Sequence, residues 1–261
     1  MRECFVCDST KDVSYYCTVE GFDHLRCANC QLIYVESIAD SDDLYRSYDG
    51  GSFKSFRRKL MAPFRSFSQY KNFSYNIDRA QKIFNHSLKY YTRTSEKPAF
   101  LDIGCNKGFL LSVAADNGWN IYGVEIVPEL MIPFKRKYSE FKDQIFSGSF
   151  DDNSKHFREG MFDTITAIDV IEHFEDPVGD MSRIYEIIKP GGNFLIQTPD
   201  GDCRQAKELK EKWGALKPYQ NLQIFSRKNL EKFSKRLGYK SIEFAEPFED
   251  ADGNFVAVMT K

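Results

Sequence analysis

Two arrangements of residues in this chain have the types and spacing to do chemistry. The first is a pair of C-x-x-C turns, Cys4/Cys7 and Cys27/Cys30, separated by 19 residues. Each such turn aims two thiolates at one tetrahedral ion, so together they supply all four ligands of a closed structural Zn2+ site. Cys17 and His24 are spare potential ligands; the first reads as a small apolar strand residue and the second as a loop residue. The other arrangement is L-D-I-G-C-N-K-G-F at residues 101–109, followed by Glu125, 23 positions after Asp102. Only Gly104 and Gly108 stand where a dinucleotide turn would show G-x-G-x-x-G. A carboxylate at the strand tip would repel a pyrophosphate and attract a cation. Gly104 lets the backbone approach a ligand, and Asn106 takes a positive φ almost as readily as glycine. An acid at the end of the second strand, where Glu125 falls, can accept both hydroxyls of a ribose.

Those residues need elements to hold them, and the pattern from residue 98 onward alternates strand and helix. Strands are expected at 99–103, 121–124, 144–146, 162–168 and 193–198, with helices at 109–117 and 128–138 between them. Asp176-Pro177 reads as an N-cap and first-turn proline, opening a helix with Val178, Met181, Ile184, Tyr185 and Ile188 inward. Lys189-Pro190-Gly191-Gly192 stops it. Ser226 caps a last helix with Leu230, Phe233 and Leu237 inward, ended by Gly238, and strands at 241–245 and 254–260 close the chain. This is an α/β chain with a doubly wound sheet ending in an antiparallel hairpin. Residues 13–17 and 32–35 read as strands of a zinc ribbon. Three segments follow: a ribbon-like knuckle at 1–38, a helical aromatic and basic connector or cap at 39–95, and the α/β domain at 96–261.

Between Gly51 and Asn72 six cations (Lys54, Arg57, Arg58, Lys59, Arg65 and Lys71) meet no acid and alternate with aromatics. From Tyr75 onward, Ile77, Ala80, Ile83, Phe84 and Leu88 mark an amphipathic helix. The connector reads as a packed cap with solvated cations, as a wall for a phosphorylated substrate, or as a surface for RNA or an anionic membrane. Globally, 36 Lys and Arg against 38 Asp and Glu leave a net charge of −2, which gives no general pull toward nucleic acid. No apolar run approaches the ~20 residues of a membrane helix, and the first residues lack the apolar core of a signal peptide. Five of seven cysteines fall within the first thirty residues, a metal pattern more than a disulfide framework. The expectation is a cytoplasmic protein.

The segment at residues 100–125 resembles motif I and the acidic loop of class I S-adenosylmethionine-dependent methyltransferases. D-V-I-E-H-F-E-D-P (169–177), K-P-G-G-N-F-L-I-Q-T-P-D (189–200) and F-S-R-K-N-L (225–230) resemble a bacterial branch that methylates sugars, antibiotics and surface polysaccharides, many of whose members begin with a C-x-x-C knuckle. The resemblance implies a Rossmann-like seven-stranded sheet and S-adenosyl-L-methionine as cofactor. It implies that Asp102, Gly104 and Gly108 hold the amino-acid portion, with Cys105 and Asn106 in the same turn. Glu125, followed by Ile126, would hold the ribose, Ser149 and Phe150 would flank the adenine, and Ile168 with Asp169 would line the methionine side. Two positions depart from the family pattern: Asn106 replaces a glycine, and Asn221 stands where relatives often carry a histidine that can act as a base.

Methyl transfer from a sulfonium is an in-line displacement governed by alignment, and a hydroxyl or amine acceptor gains from a base near the methyl group. Of the histidines at 24, 86, 156 and 173, His173 follows the fourth strand on the ligand side and is the candidate catalytic base, with a packing or capping role as the other reading. Asp169 is the alternative, and Tyr45, Tyr48 and Tyr219 are candidates to orient an acceptor. The function expected is O-methylation of a small polar acceptor, a sugar or a nucleotide-linked or phosphorylated intermediate, in surface carbohydrate biosynthesis. The other expectations are a zinc-knuckle RNA methyltransferase and a non-catalytic binding module.

Overall fold

The computed structural model describes residues 3–9, 11–38, 66–92, 96–249 and 253–261, with side chains in the first helix described from residue 74. Residues 39–65, which hold Tyr45, Tyr48 and most of the basic aromatic run, lie outside the described residues.

The chain opens with strands β1 (Val13–Val19), β2 (Phe22–Cys27) and β3 (Ile33–Val35), paired antiparallel in that order. Glu20 and Gly21 join β1 to β2 with φ of 50° and 84°, the two positive values of the tight hairpin turn whose twist matches its strands. That turn settles His24, expected in a loop: it lies in β2 opposite Cys17 and is buried. Helix α1 (Ser66–Leu88) begins nine residues before the amphipathic stretch expected from residue 75. No glycine or proline interrupts it, so nothing breaks the backbone ladder once it starts.

There follow β4 (Ala99–Ile103), α2 (Phe109–Asp116), β5 (Asn120–Glu125), α3 (Ile132–Lys137), β6 (Ile145–Ser147), α4 (Phe150–Ser154), β7 (Phe162–Ile168), α5 (Pro177–Ile187), β8 (Ile188–Pro199), α6 (Arg204–Leu209), β9 (Gln223–Ile224), α7 (Arg227–Leu237), β10 (Ser241–Ala245) and β11 (Asn254–Thr260). Seven of these strands form one sheet in the order β10-β11-β8-β7-β4-β5-β6, parallel except for β11, which runs antiparallel to both neighbours. The Rossmann-like α/β fold with its terminal hairpin is as expected.

Successive side chains of a strand point to opposite faces, and the packing follows that rule. In β4, Leu101 and Ile103 join a core with Met181 and Ile184 of α5 and Phe233 of α7. Phe100, between them, joins the opposite core with Phe84 of α1 and Leu111 of α2. The sheet is therefore sandwiched between helical layers. Asp176 caps α5 by accepting from the Gly179 amide, and Ser226 with Asn229 forms a reciprocal capping box on α7. The buried face of α5 is Pro177, Asp180, Met181, Ile184 and Ile187, with Val178 and Tyr185 only half-buried. That helix ends at Ile187, and Lys189-Pro190-Gly191-Gly192 already belongs to β8 instead of preceding it.

The N-terminal ribbon does not stand alone. β9, from the far end of the chain, adds to β3 with Ile33 opposite Ile224, making a four-stranded sheet. Phe5 meets the rings of Tyr34, Phe225 and Phe233 edge-on at 6.0–6.3 Å, a favoured arrangement for aromatic quadrupoles. Because Phe233 is shared by both parts, Phe233→Ala is expected to cost about 3–5 kcal/mol and to shift ribbon and sheet together. Urea unfolding followed by ribbon and sheet probes would show one transition moved as a unit; two separated transitions would contradict the shared core.

Candidate functional site

The chain runs from β4 outward to β5 and β6, then crosses back to β7 on the other side of β4. Open α/β sheets bind ligands at the carboxyl ends of strands beside such a reversal. Here a cleft of about 1080 Å³ opens there, and a second recess of about 400 Å³ shares Asp169, His173 and Gln220 with it. The larger is ample for a cofactor-sized ligand, since such pockets usually measure ~300–1,000 Å³.

Asp102, Gly104, Cys105 and Asn106 line the cleft from the β4 turn, Glu125 and Ile126 from the end of β5. Ser149 and Phe150 reach it from the start of α4, and Ile168, Asp169 and His173 from the end of β7. Of the residues expected to hold the cofactor, Gly108 alone is outside this lining. Its φ is 74°, and a Cβ there would lie 2.5 Å from the Phe134 ring, so glycine is required by packing of the turn on α3. At Gly104, φ is 71° and a Cβ would meet Val170 at 2.5 Å. Asn106 adopts φ 50°, the left-handed conformation expected of it.

Glu125 fastens this turn: its carboxylate accepts the Asn106 amide at 2.7 Å and the Val127 amide at 2.9 Å. Asp102 is buried and accepts Thr166 Oγ1 at 2.7 Å. Burial pushes its carboxyl up to about 7, with the Glu125 charge adding to the effect. A carboxylate so desolvated gains much from a cation, which is the physical fit to the ammonium end of the expected cofactor.

Asp169 has φ 57°, unusual outside glycine, directly after β7. Its carboxylate accepts from Arg79 Nη2 at 3.1 Å, Gln197 Nε2 at 3.3 Å and Asn254 Nδ2 at 3.4 Å. Burial raises its pKa, opposed by Arg79 and Gln197. His173 Nδ1 lies 2.7 Å from the Gln220 carbonyl, so that nitrogen carries the proton. Burial holds the ring below the usual histidine range, while the backbone carbonyls of Gln220 and Asp169 pull the other way. The neighbouring Glu172 is fully enclosed, accepts Thr198 Oγ1 at 3.0 Å, and is pushed up to about 8 by burial and the Asp169 charge. Asn221 donates to the Ala215 carbonyl at 2.7 Å and lines the smaller recess. Tyr219 lines the cleft and meets Phe22 of the ribbon at 4.9 Å.

Sequence reading missed the partners that make this a network: Arg79, Thr166, Glu172, Gln197, Glu249 and Asn254. Arg79 sits on an amphipathic helix among exposed polar residues such as Asp78, Gln81 and Lys82, and Glu249 and Asn254 lie in or beside the last connection. No local pattern distinguishes them; only the fold brings them to Asp169.

The four N-terminal cysteines converge, with Cys4 and Cys30 sulfurs 3.4 Å apart, Cys7 and Cys27 sulfurs 3.5 Å apart, and all four sulfurs within 4.8 Å of one another. Sulfurs at ~2.3 Å from a tetrahedral zinc lie at comparable mutual distances, so the set fits a Cys4 site.

Three buried acids with raised pKa values make stability depend on pH. Glu172 at about 8, Asp102 at about 7 and Asp180 at about 7 bind protons more tightly in the folded chain than in the unfolded one. The stability they contribute is complete below about pH 4 and is lost as pH rises through 7 to 8. The ligand-free protein should therefore have a lower urea midpoint at pH 8 than at pH 6, and Glu172→Gln should shrink that drop. An unchanged drop in the variant would place Glu172 in contact with water.

A methyltransferase-domain family model matches residues 70–243. The ubiquinone biosynthesis O-methyltransferase of Pseudomonas aeruginosa is 30% identical over 105 residues, 38% of this chain and 43% of that protein. Phosphoethanolamine N-methyltransferase 2 of Caenorhabditis elegans is 28% identical over 216 residues, 72% of this chain and 48% of that protein. The chain thus spans less than half the length of these curated relatives. Among solved structures, magnesium protoporphyrin IX methyltransferase from Synechocystis, with bound S-adenosylhomocysteine, superposes with a TM-score of 0.53 at 17% identity, covering 85% of this chain and 100% of that one. A SAM-dependent methyltransferase from Archaeoglobus fulgidus gives 0.52 at 13% identity, covering 70% and 92%. These likenesses concern the fold.

Proposed function

Because this chain belongs to the methyltransferase-domain family, we propose that it transfers a methyl group from S-adenosylmethionine to an oxygen of a small polar acceptor, a sugar or a nucleotide-linked or phosphorylated sugar. The observation that carries this reading is the buried Asp102 carboxyl at the tip of β4, raised to about 7, in a cleft that continues into a polar recess. When bound, S-adenosylmethionine supplies an electrophilic methyl group on a cationic sulfur, which an aligned acceptor oxygen displaces in line.

In this reading Asp102 pairs with the cofactor's ammonium group. Glu125, already holding the Asn106 and Val127 amides through one lone pair on each oxygen, keeps lone pairs for the ribose hydroxyls. Gly104, Cys105, Asn106 and Ile126 shape the same wall, Ser149 and Phe150 flank the adenine, and Ile168 lines the methionine side. Gly108 acts by setting the turn. The proton of an acceptor hydroxyl passes to His173, kept neutral by burial, and the carbonyls of Gln220 and Asp169 stabilise the resulting imidazolium. Asp169, fixed by three donors, orients the acceptor.

The recess supports a hydroxyl-rich acceptor over an apolar one. Gln205, Asn221, Asn254 and the protonated Glu172 offer donors and acceptors there, and Lys217 at its edge suits a phosphate. Eight acids line the cleft as a whole, which disfavours the polyphosphate backbone of RNA. The link to surface carbohydrate biosynthesis rests on the motif resemblance. We also propose that Cys4, Cys7, Cys27 and Cys30 hold one structural zinc ion, and that the ribbon, connector and sheet occupy 1–38, 39–95 and 96–261. No helix among the described residues is long and apolar enough to cross a membrane.

Calorimetric titration with S-adenosylhomocysteine tests the central claim. Binding should be lost in Asp102→Ala and Glu125→Ala. Since the ammonium pairs with the ionised carboxylate, affinity should fall as pH drops below about 7, by close to tenfold per unit, and Asp102→Asn should flatten that slope. No binding by the wild-type chain would overturn the reading. Elemental analysis should find one zinc per chain, lost in Cys30→Ser; freshly purified protein without zinc would remove the metal from the account.

A further inference from the structure

The two hollows of the site differ in the sign of their charge. Eight acids line the cleft, which suits a cationic cofactor. The smaller recess has two, Asp169 and Glu172, and neither leaves an unanswered negative charge there. Asp169 pairs with Arg79 at 3.1 Å, a guanidinium that Glu249 holds from its other edge at 2.8 Å. Glu172, raised to about 8, is protonated at pH 7. Lys217 is then the one unanswered charge of the recess: its side chain is exposed, and no carboxylate among the described residues pairs with it.

The fold fixes where that ammonium stands. Lys217 lies in the loop between α6 and β9, and its carbonyl accepts the amides of Gln220 and Asn221 at 2.8 and 2.7 Å. Asn221 Nδ2 ties the same loop to the Ala215 carbonyl at 2.7 Å, and the Leu222 amide donates to the Glu172 carbonyl at 2.8 Å. Behind the loop, Trp213 and Leu216 pack with Cys17 and Ile33 of the ribbon. The lysine backbone is thus held beside His173, and its charge is felt at that ring. A compact ammonium on a rigid base recognises phosphate as a point charge.

Building on the methyl transfer proposed above, we propose that Lys217 binds a phosphate monoester carried by the acceptor, so that the substrate is a sugar monophosphate whose reacting hydroxyl faces His173. Gln205 and the Asn221 carbonyl oxygen meet its other hydroxyls. The recess of about 400 Å³ stands at the lower end of the ~300–1,000 Å³ usual for ligand pockets, which suits one sugar ring and excludes an oligosaccharide. A nucleotide-linked sugar brings two phosphates and a nucleoside, and beyond the recess these would meet the acids of the cleft.

The test is calorimetry on the chain saturated with S-adenosylhomocysteine, with glucose, glucose 1-phosphate, uridine diphosphate glucose and inorganic phosphate as probes. Glucose 1-phosphate should bind about tenfold more tightly than glucose, the size of a charged hydrogen bond partly screened by water, and inorganic phosphate should compete with it. High salt should shrink that preference. In Lys217→Met it should vanish, while S-adenosylhomocysteine binds as before and thermal unfolding is unchanged. Lys217→Arg should keep it, and so should Lys212→Met, which removes a nearby exposed cation outside the recess. A preference that persists in Lys217→Met would overturn the inference and leave the cofactor reading standing. So would a loaded wild-type chain that binds neither inorganic phosphate nor glucose 1-phosphate. Tighter binding of uridine diphosphate glucose, lost in Lys217→Met, would overturn the monoester in favour of a nucleotide-linked acceptor. A wild-type chain that does not bind S-adenosylhomocysteine would overturn the methyltransferase reading itself, and this inference with it.

Discussion

Asp102, Glu125 and Asp169 stand at or just beyond the ends of the adjacent strands β4, β5 and β7, the first two buried by the sheet and the third partly open to the cleft. Burying a carboxylate is costly unless hydrogen bonds or a cation answer it, and each is answered differently. Glu125 takes two backbone amides, Asp169 takes a guanidinium and two amide side chains, and Asp102 takes one hydroxyl. The least satisfied of the three is Asp102, and its raised pKa measures that deficit. The rest of the site follows from keeping this group dry: the glycine turn, the helix α1 laid across the cleft, and the anchors on Glu249.

The N-terminal ribbon is bound into the same logic. It borrows β9 to complete its sheet, shares Phe233 with the main core, and sets Phe22 against Tyr219 on the cleft wall. A cluster of four thiols at 0% exposure or partly buried would have little to hold it together without an ion, since thiolate repulsion opposes close approach.

His173 and Glu172 show how the same environment separates two titrating neighbours. Burial lowers the imidazole and raises the carboxyl, so both are neutral at pH 7. Neutral donors and acceptors side by side are what a hydroxyl-bearing acceptor needs, whereas two opposite charges would pair with each other and close the recess.

Much of the fold and part of the site were legible from local pattern. The C-x-x-C spacing, the alternation of apolar strand and amphipathic helix, the caps at Asp176 and Ser226, and the Asp102 to Glu125 spacing each record a constraint acting over a few residues, and such constraints leave marks in the chain. Asn106 could be foreseen in a left-handed conformation for the same reason. Arg79, Gln197, Glu249 and Asn254 could not, because the pairing of Arg79, Gln197 and Asn254 with Asp169, and of Glu249 with Gln197, spans 28 to 90 positions. Nor could the joining of β9 to the ribbon or the burial of His24, which follow from strand register. An arginine on an amphipathic helix looks the same whether it meets water or a carboxylate of the cleft; the packing of α1 on the face of the sheet decides which, and that is a property of tertiary structure alone.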